Sequence, residues 1–205
     1  NSFGDIGNLK FLPKEKLKKL KIIFGDLKDP GTYEDYIRKT NFVINLASFI
    51  SIPYSYVAKK SYLQNNIIGS SELFNLCIKY KVDKVVHFST SEIYGTPKKI
   101  PIDENSKLNP QSPYAASKLA VDHLAKSYFY SYDMPLIILR PFNNFGPRQS
   151  RRAVIPEIIC QMLKSNKIYL GDISTKRDFL FVEDTVVAVL KILKKEKIYG
   201  QEFNI

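Results

Sequence analysis

The chain has 205 residues, of which 44% are hydrophobic, with 13 Phe, 13 Tyr and no Trp. That is ample for a buried core and excludes a disordered or low-complexity polypeptide. A formal net charge of +11, from 31 Lys and Arg against 20 Asp and Glu, favours anionic partners: nucleic acid, a membrane surface or a phosphate-bearing small molecule.

In chain order, Gly4-x-x-Gly7 reads as a loop, since no apolar strand precedes it and no apolar-faced helix follows. Lys14 to Lys21 carries Leu17 and Leu20 at helical spacing, which reads as a solvated helix face; without a binding motif beside it, it predicts no nucleic-acid partner. Lys21 to Phe24 predicts a strand, Asp29-Pro30-Gly31 a helix start, and Gly31 to Arg38 a helix. Phe42 to Ala47 predicts the next strand. The apolar stretch that continues to Ile52 is broken by Asn45, Ser48 and Ser51, short of the roughly 20 residues a membrane span needs. A helix follows over 60–80, a strand over 84–89, a loop at Asn109 to Pro113, a helix over 113–132 and a strand over 136–139. Beyond Pro141 the rhythm loosens, with helices over 155–165 and 182–194 and a strand at Glu202 to Ile205. Lys191 to Lys197 is a second solvated lysine face.

Continuous apolar strands separated by helices indicate a doubly wound α/β fold built on a parallel sheet. Residues 1–141 form its main domain, and 142–205 part of a smaller lobe whose chain crosses back to the sheet. Cys77 and Cys160, far apart, make neither a disulfide framework nor a zinc site. His87 sits in a core strand and His123 on a helix with no partner motif, so no metal is expected. With no secretory signal in view, the expected location is cytoplasmic. The chain starts at Asn1 without Met and stops within a strand, so a piece of a longer reading frame is expected.

In such sheets ligands bind at the carboxyl ends of the strands. Those ends are polar here: Gly25-Asp26-Leu27, Ala47-Ser48, Ser89-Thr90-Ser91-Glu92 and Pro141-Phe142-Asn143-Asn144. Tyr114-Ala115-Ala116-Ser117-Lys118 puts a phenol and an ammonium on one helix face. A cation beside Tyr114 is expected to lower its pKa and make it a base toward an alcohol proton. Alone, Tyr-x-x-x-Lys also fits an ordinary amphipathic helix, and Ser89 to Glu92 alone fits a capping loop. Their proximity in sequence makes an active site of the two together.

On these residues the chain resembles the extended short-chain dehydrogenase/reductase family, the NAD-dependent nucleotide-sugar epimerases and dehydratases. The resemblance implies a Rossmann domain that binds NAD through Asp26 and Leu27, through Leu46, Ala47 and Ser48, and through Asn66, Tyr114 and Lys118. It implies that Asn143, Arg148 and Arg177 meet a nucleotide-sugar substrate, the Arg177 guanidinium suiting its diphosphate. A homodimer packed through the helices over 60–80 and 113–132 follows the same family habit. The family's Gly-rich fingerprint, with the βαβ unit that carries it, is missing, so weak pyrophosphate binding and little activity are expected of this polypeptide alone.

Thr90-Ser91-Glu92 resembles the Thr-Ser-Glu of GDP-mannose-type 4,6-dehydratases. Epimerases carry small uncharged residues there, dTDP-glucose dehydratases Asp-Glu, and UDP-glucuronate decarboxylases can carry Ser-Glu. Ile52 to Val57, Gly146 to Pro156 and the opening Asn1-Ser2-Phe3 are similar to legionaminic-acid-type dehydratases of nucleotide-activated N-acetylglucosamine. The expected reaction is therefore a sugar-nucleotide 4,6-dehydration with Thr90, Ser91, Glu92, Tyr114 and Lys118 as its catalytic set. A decarboxylase or 4-epimerase of the same family is the alternative, and a basic nucleic-acid-binding α/β module the alternative outside it.

Overall fold

The computed structural model describes residues 5–205, so the opening Asn1-Ser2-Phe3 and Gly4 lie outside the described residues. Two compact units are present: Asn1–Arg140 with Lys195–Asn204, and Pro141–Lys194 with Ile205.

The first unit begins with a 3-10 turn at Gly7–Phe11 and short helices α1 (Lys14–Leu17) and α2 (Glu34–Ile37). Its sheet comprises β1 (Phe42–Asn45), β2 (Lys84–Phe88), β3 (Leu136–Arg140) and β6 (Glu202–Asn204), all parallel, in the order β1-β2-β3-β6. Between β1 and β2 lie α3 (Ile52–Val57), α4 (Lys59–Tyr62), a π-helical run Leu63–Ile68 and α5 (Gly69–Lys79). Between β2 and β3 lie a 3-10 turn, Ser91–Tyr94, and the long helix α6 (Pro113–Tyr132).

Residues of β2 and β3 are almost wholly buried, as expected of inner parallel strands that read as unbroken apolar runs. Val43, Val85, Leu136 and Ile138 meet Leu73, Phe74 and Cys77 of α5 and Val121 and Ala125 of α6, which makes the core a sheet-on-helix layer. Along edge strand β1, the alternate residues Phe42 and Ile44 remain exposed.

α6 has a sharply specified start. Ser112 caps it, its Oγ accepting from Ala115 N at 3.0 Å, and Pro113 occupies the first turn, where a missing N–H costs nothing. Asp133 ends it with φ of 52°.

Several expected elements differ. Lys21 to Phe24 forms no strand: β1 is the sheet's edge, and this segment has no neighbouring strand to complete a ladder. The chain is secured just beyond it, where Tyr33 donates from its hydroxyl to Leu27 O at 2.8 Å and Leu27 packs against the core. The helix expected over 31–38 divides into a 3-10 turn at Pro30–Thr32 and α2. The one expected over 60–80 is interrupted by the π-helical run, for which Asn66 supplies the reason below.

In the second unit, β4 (Asn143–Phe145) and β5 (Phe179–Phe181) pair in parallel, and neither was evident from the sequence. α7 (Val154–Met162) and α8 (Val182–Lys194) complete it. Phe145 packs edge-on to Phe179, and Thr185 hydrogen-bonds Asn144. Among the described residues, no helix is long and apolar enough to cross a membrane, and no group of three or more His, Cys, Asp or Glu could hold a metal ion.

Candidate active site

β2 leads straight into the polar turn. Ser89 and Thr90 are buried at its carboxyl end, and Thr90 caps the 3-10 turn, its Oγ1 accepting from Glu92 N at 3.2 Å. Gly95 closes the turn with φ of 61°, and an added Cβ there would collide with the Asn109 carbonyl oxygen. Only glycine fits that backbone.

α6 brings Tyr114 and Lys118 to the same place, with exposures of 7% and 3%. Thr90 engages the Tyr114 phenol and favours its anion, while Glu92 is near enough to oppose that anion. Thr90, Glu92 and Tyr114 thus come together, Lys118 lies one turn along α6 from Tyr114, and Ser91 opens the turn between Thr90 and Glu92.

The electrostatics differ from expectation. Burial raises the Tyr114 pKa above its ordinary value, and Thr90 offsets this only in part. Lys118 is buried as deeply. Its ammonium donates to the Phe88 carbonyl, and burial pulls its own pKa down to about 8 against the opposing pull of Asp122. Spacing alone put the cation beside the phenol; burial of both groups, invisible to spacing, reverses the direction.

Asn66 explains the π-helical run. Its Oδ1 accepts from Phe49 N at 2.8 Å, and its Nδ2 donates to Phe49 O at 3.1 Å and to Ser117 Oγ at 2.9 Å. One amide therefore ties the loop after β1 to the helix that carries Tyr114 and Lys118, and the extra residue in the turn aims it there. Every one of these bonds is internal, so Asn66 acts as a tie within the protein.

Asp26 is exposed, accepts from Lys28 N at 3.0 Å and pairs with Lys28 Nζ at 3.3 Å; the backbone bond foremost holds its carboxyl below the usual range. Leu27 is half-buried and fills space against Gly69. At the end of β1, Leu46 and Ala47 are exposed and Ser48 half-exposed, with Ala47 N held by Asn45 Oδ1 at 3.1 Å. An open, small-residue strand end together with Tyr114 and the buried Lys118 ammonium fits the nicotinamide-ribose part of a dinucleotide. The described residues offer no Gly-rich strand-to-helix turn for its pyrophosphate.

In the second unit, Asn143 donates from Nδ2 to Asp178 O at 3.1 Å, which sets it beside the segment bearing Arg177. Arg177 is exposed, its guanidinium on Lys176 O at 3.0 Å. Arg148 is exposed, with φ of 67°.

Sequence reasoning missed the polar layer beneath the site. Arg140, 2% exposed at the end of β3, bonds Asp122 Oδ2 at 3.1 Å, Tyr94 Oη at 3.0 Å and Glu202 Oε1 at 3.2 Å. Glu202 also pairs with Lys126. His87, wholly buried in β2, contacts Asn45 Nδ2 at 3.2 Å, and burial foremost holds its pKa well below the ordinary value. A signal existed for Asp122: it lies eight residues after Tyr114, on the stripe of α6 that already carried Lys118.

The family model described as GDP-mannose 4,6 dehydratase matches residues 1–205. The chain is 33% identical over 216 residues to a dTDP-D-glucose 4,6-dehydratase of Dictyostelium discoideum, covering 98% of this chain and 49% of that one. Among solved structures it is similar to a dTDP-glucose 4,6-dehydratase of Streptomyces venezuelae with NAD bound (TM-score 0.85, 26% identity, 94% of this chain and 62% of that one). It is also similar to a UDP-N-acetylglucosamine 4-epimerase of Methanobrevibacter ruminantium (TM-score 0.87, 34% identity, 98% and 65%). The chain spans less than two thirds of each of these relatives.

Proposed function

The chain belongs to the GDP-mannose 4,6-dehydratase family, and from that premise we propose that its protein is an NAD-dependent dehydratase of a nucleotide-activated N-acetylhexosamine. The observation that carries the choice of dehydration is Glu92, a carboxylate held close to the Tyr114 phenol by the Thr90-capped turn. Oxidation and re-reduction at one carbon need a single base; elimination needs a second for the neighbouring proton.

On this reading Tyr114, assisted by Thr90 and Lys118, takes the C4 hydroxyl proton as C4 is oxidised. The resulting ketone acidifies the C5 hydrogen, which Glu92 removes while water leaves C6 with Ser91 assisting. When bound, NAD would supply the hydride acceptor at C4 and the hydride donor at C6, and a proton returns to C5 to replace the one Glu92 removed. Asn143, Arg148 and Arg177 bind the nucleotide diphosphate and position the sugar through contacts remote from the chemistry. A homodimer through the α4–α5 run and α6, in the cytoplasm, completes the proposal; Leu63, Ile68 and Tyr130 are exposed on those elements.

Epimerisation at C4 is the second reading, favoured by the 34% identity to the UDP-N-acetylglucosamine 4-epimerase. Thr90, Tyr114 and Lys118 alone would serve it. Product mass from the full-length protein, given NAD and a panel of sugar nucleotides, separates the two. Loss of one water from an N-acetylhexosamine nucleotide is expected. An unchanged mass with inverted C4 would refute the role of Glu92.

A further inference from the structure

Tyr114, Lys118 and Asp122 follow one another at four-residue intervals along a single buried stripe of α6. The third has no part in the proposed reaction, yet its side chain is 2% exposed. A carboxylate is costly to bury, so its partners matter. Arg140 holds only one of its oxygens, because the rest of that guanidinium is committed to Tyr94 and Glu202. Glu202 already has Lys126 as a second cation. Asp122 Oδ1 is thus left buried without a hydrogen bond, as is Ser89 Oγ just past the end of β2. Ser89 is close enough to favour the Asp122 carboxylate without closing that bond.

We propose that Asp122 is a positioning residue for the reacting pair, its Arg140-clamped carboxylate serving as the buried counter-charge that keeps the Lys118 ammonium in its seat one helical turn away. This rests on reading Tyr114 and Lys118 as that pair. The groups facing Lys118 leave Asp122 as its one anionic influence among the described residues. From β2 come the Phe88 carbonyl and His87, which burial keeps neutral and which Lys118 further disfavours as a cation. From α6 come Tyr114, a phenol at neutral pH, and Asp122; Glu92, on the strand-end turn, acts on Tyr114. Arg140, from β3, is spent on its three acceptors. Attraction between Lys118 and Asp122 is mutual, each favouring the other's charged form.

A role confined to holding the fold would leave Lys118 titration unchanged; a counter-charge would not. In the full-length protein labelled with 13Cε-lysine, the Lys118 resonance, assigned with K118R, is titrated in the wild type and in Asp122→Asn. Asn keeps the volume and an acceptor for Arg140 Nε. The Lys118 pKa is expected to fall by about one pH unit or more, and Asp122→Glu to restore most of it. A folded Asp122→Asn protein with Lys118 unmoved would overturn the inference. Should that variant not fold, the reciprocal arm decides: Lys118→Met must raise the Asp122 carboxyl pKa, followed by its 13Cγ signal, and no change there refutes the coupling. In the pH profile of kcat the alkaline limb should move down with Lys118 while KM holds. If the resonance moves and the profile does not, the inference stands and the assignment of the reacting pair fails.

Discussion

Replacing Asn66 by Leu, close in size and without polar atoms, tests whether the loop after β1 is tied to α6 by a single amide. Four hydrogen bonds are lost: to Phe49 N, Phe49 O, Ser117 Oγ and the half-exposed Asn65 Nδ2, which water can re-satisfy. Each is worth about 1 kcal/mol net. Ser117 is buried, but its hydroxyl still donates to Tyr114 O at 2.7 Å, so it is not left wholly unsatisfied. Phe49 is exposed enough for water to repair part of its loss, and the leucine methyls recover about 1 kcal/mol by burial. The expected net loss is about 2 kcal/mol, a sizeable share of the 5–15 kcal/mol typical of a domain. Urea unfolding of the full-length protein should show this as a lower midpoint with unchanged slope, and hydrogen exchange at Phe49 N should accelerate. Asn66→Asp adds a sign test. A buried carboxylate without a cation has its folded pKa raised above the unfolded value, so this variant is weakest at neutral pH and regains stability as pH falls through the folded pKa. A loss below about 0.5 kcal/mol for Asn66→Leu, or protection of Phe49 N unchanged, would refute the tie.

Arg140→Met removes the cation between Asp122 and Glu202, both held within about 3.2 Å of it, and should cost about 3–5 kcal/mol near neutral pH. Because burial already raises the Asp122 pKa and losing Arg140 raises it further, the gap from wild type should shrink as pH falls; a pH-independent gap in urea titrations would show that Asp122 is not the group left uncompensated. Glu92→Gln should stop elimination while sparing C4 oxidation, read as NADH formation without loss of water; equal loss of both would remove Glu92 from its assigned step. Gly95→Ala forces a side chain into a backbone region nearly confined to glycine and against the Asn109 carbonyl, an expected loss of about 3 kcal/mol in urea unfolding, and a neutral result would mean that the turn relaxes freely.

Legibility in the sequence followed the range of the force involved. β2 and β3 stood out because inner parallel strands are apolar on both faces, a local signature. α6 was legible at both ends, since Ser112, Pro113 and the break at Asp133 act within one turn. Lys21 to Phe24 carried the same apolar signature as β2, yet a strand also needs a partner, which composition does not encode. The π-helical run depends on a bond from Asn66 to Phe49, 17 residues away. Tyr114 and Lys118 were found by spacing, but the direction of their pKa shifts depends on how deeply both lie, and depth is a property of the packed sheet and helix. β4 and β5 are three residues each, too short for any periodicity to register.

Thr90 shows why the two proposed bases belong together. Its oxygen accepts the Glu92 N–H as the cap of the strand-end turn, and its hydroxyl lies near enough to the Tyr114 phenol to favour the anion. The hydroxyl is thereby polarised by the backbone: the turn that presents Glu92 also orients the group that favours the phenolate. Moving either base without the other would break one of these two interactions. Dehydration asks for two bases on adjacent carbons of one ring, C4 and C5, acting in sequence without repositioning the sugar. On the proposed dehydratase reading, one side chain at the end of β2 that engages both groups suits that demand, and Arg140, bonding both Asp122 on α6 and Tyr94 on the turn, braces the two elements from below.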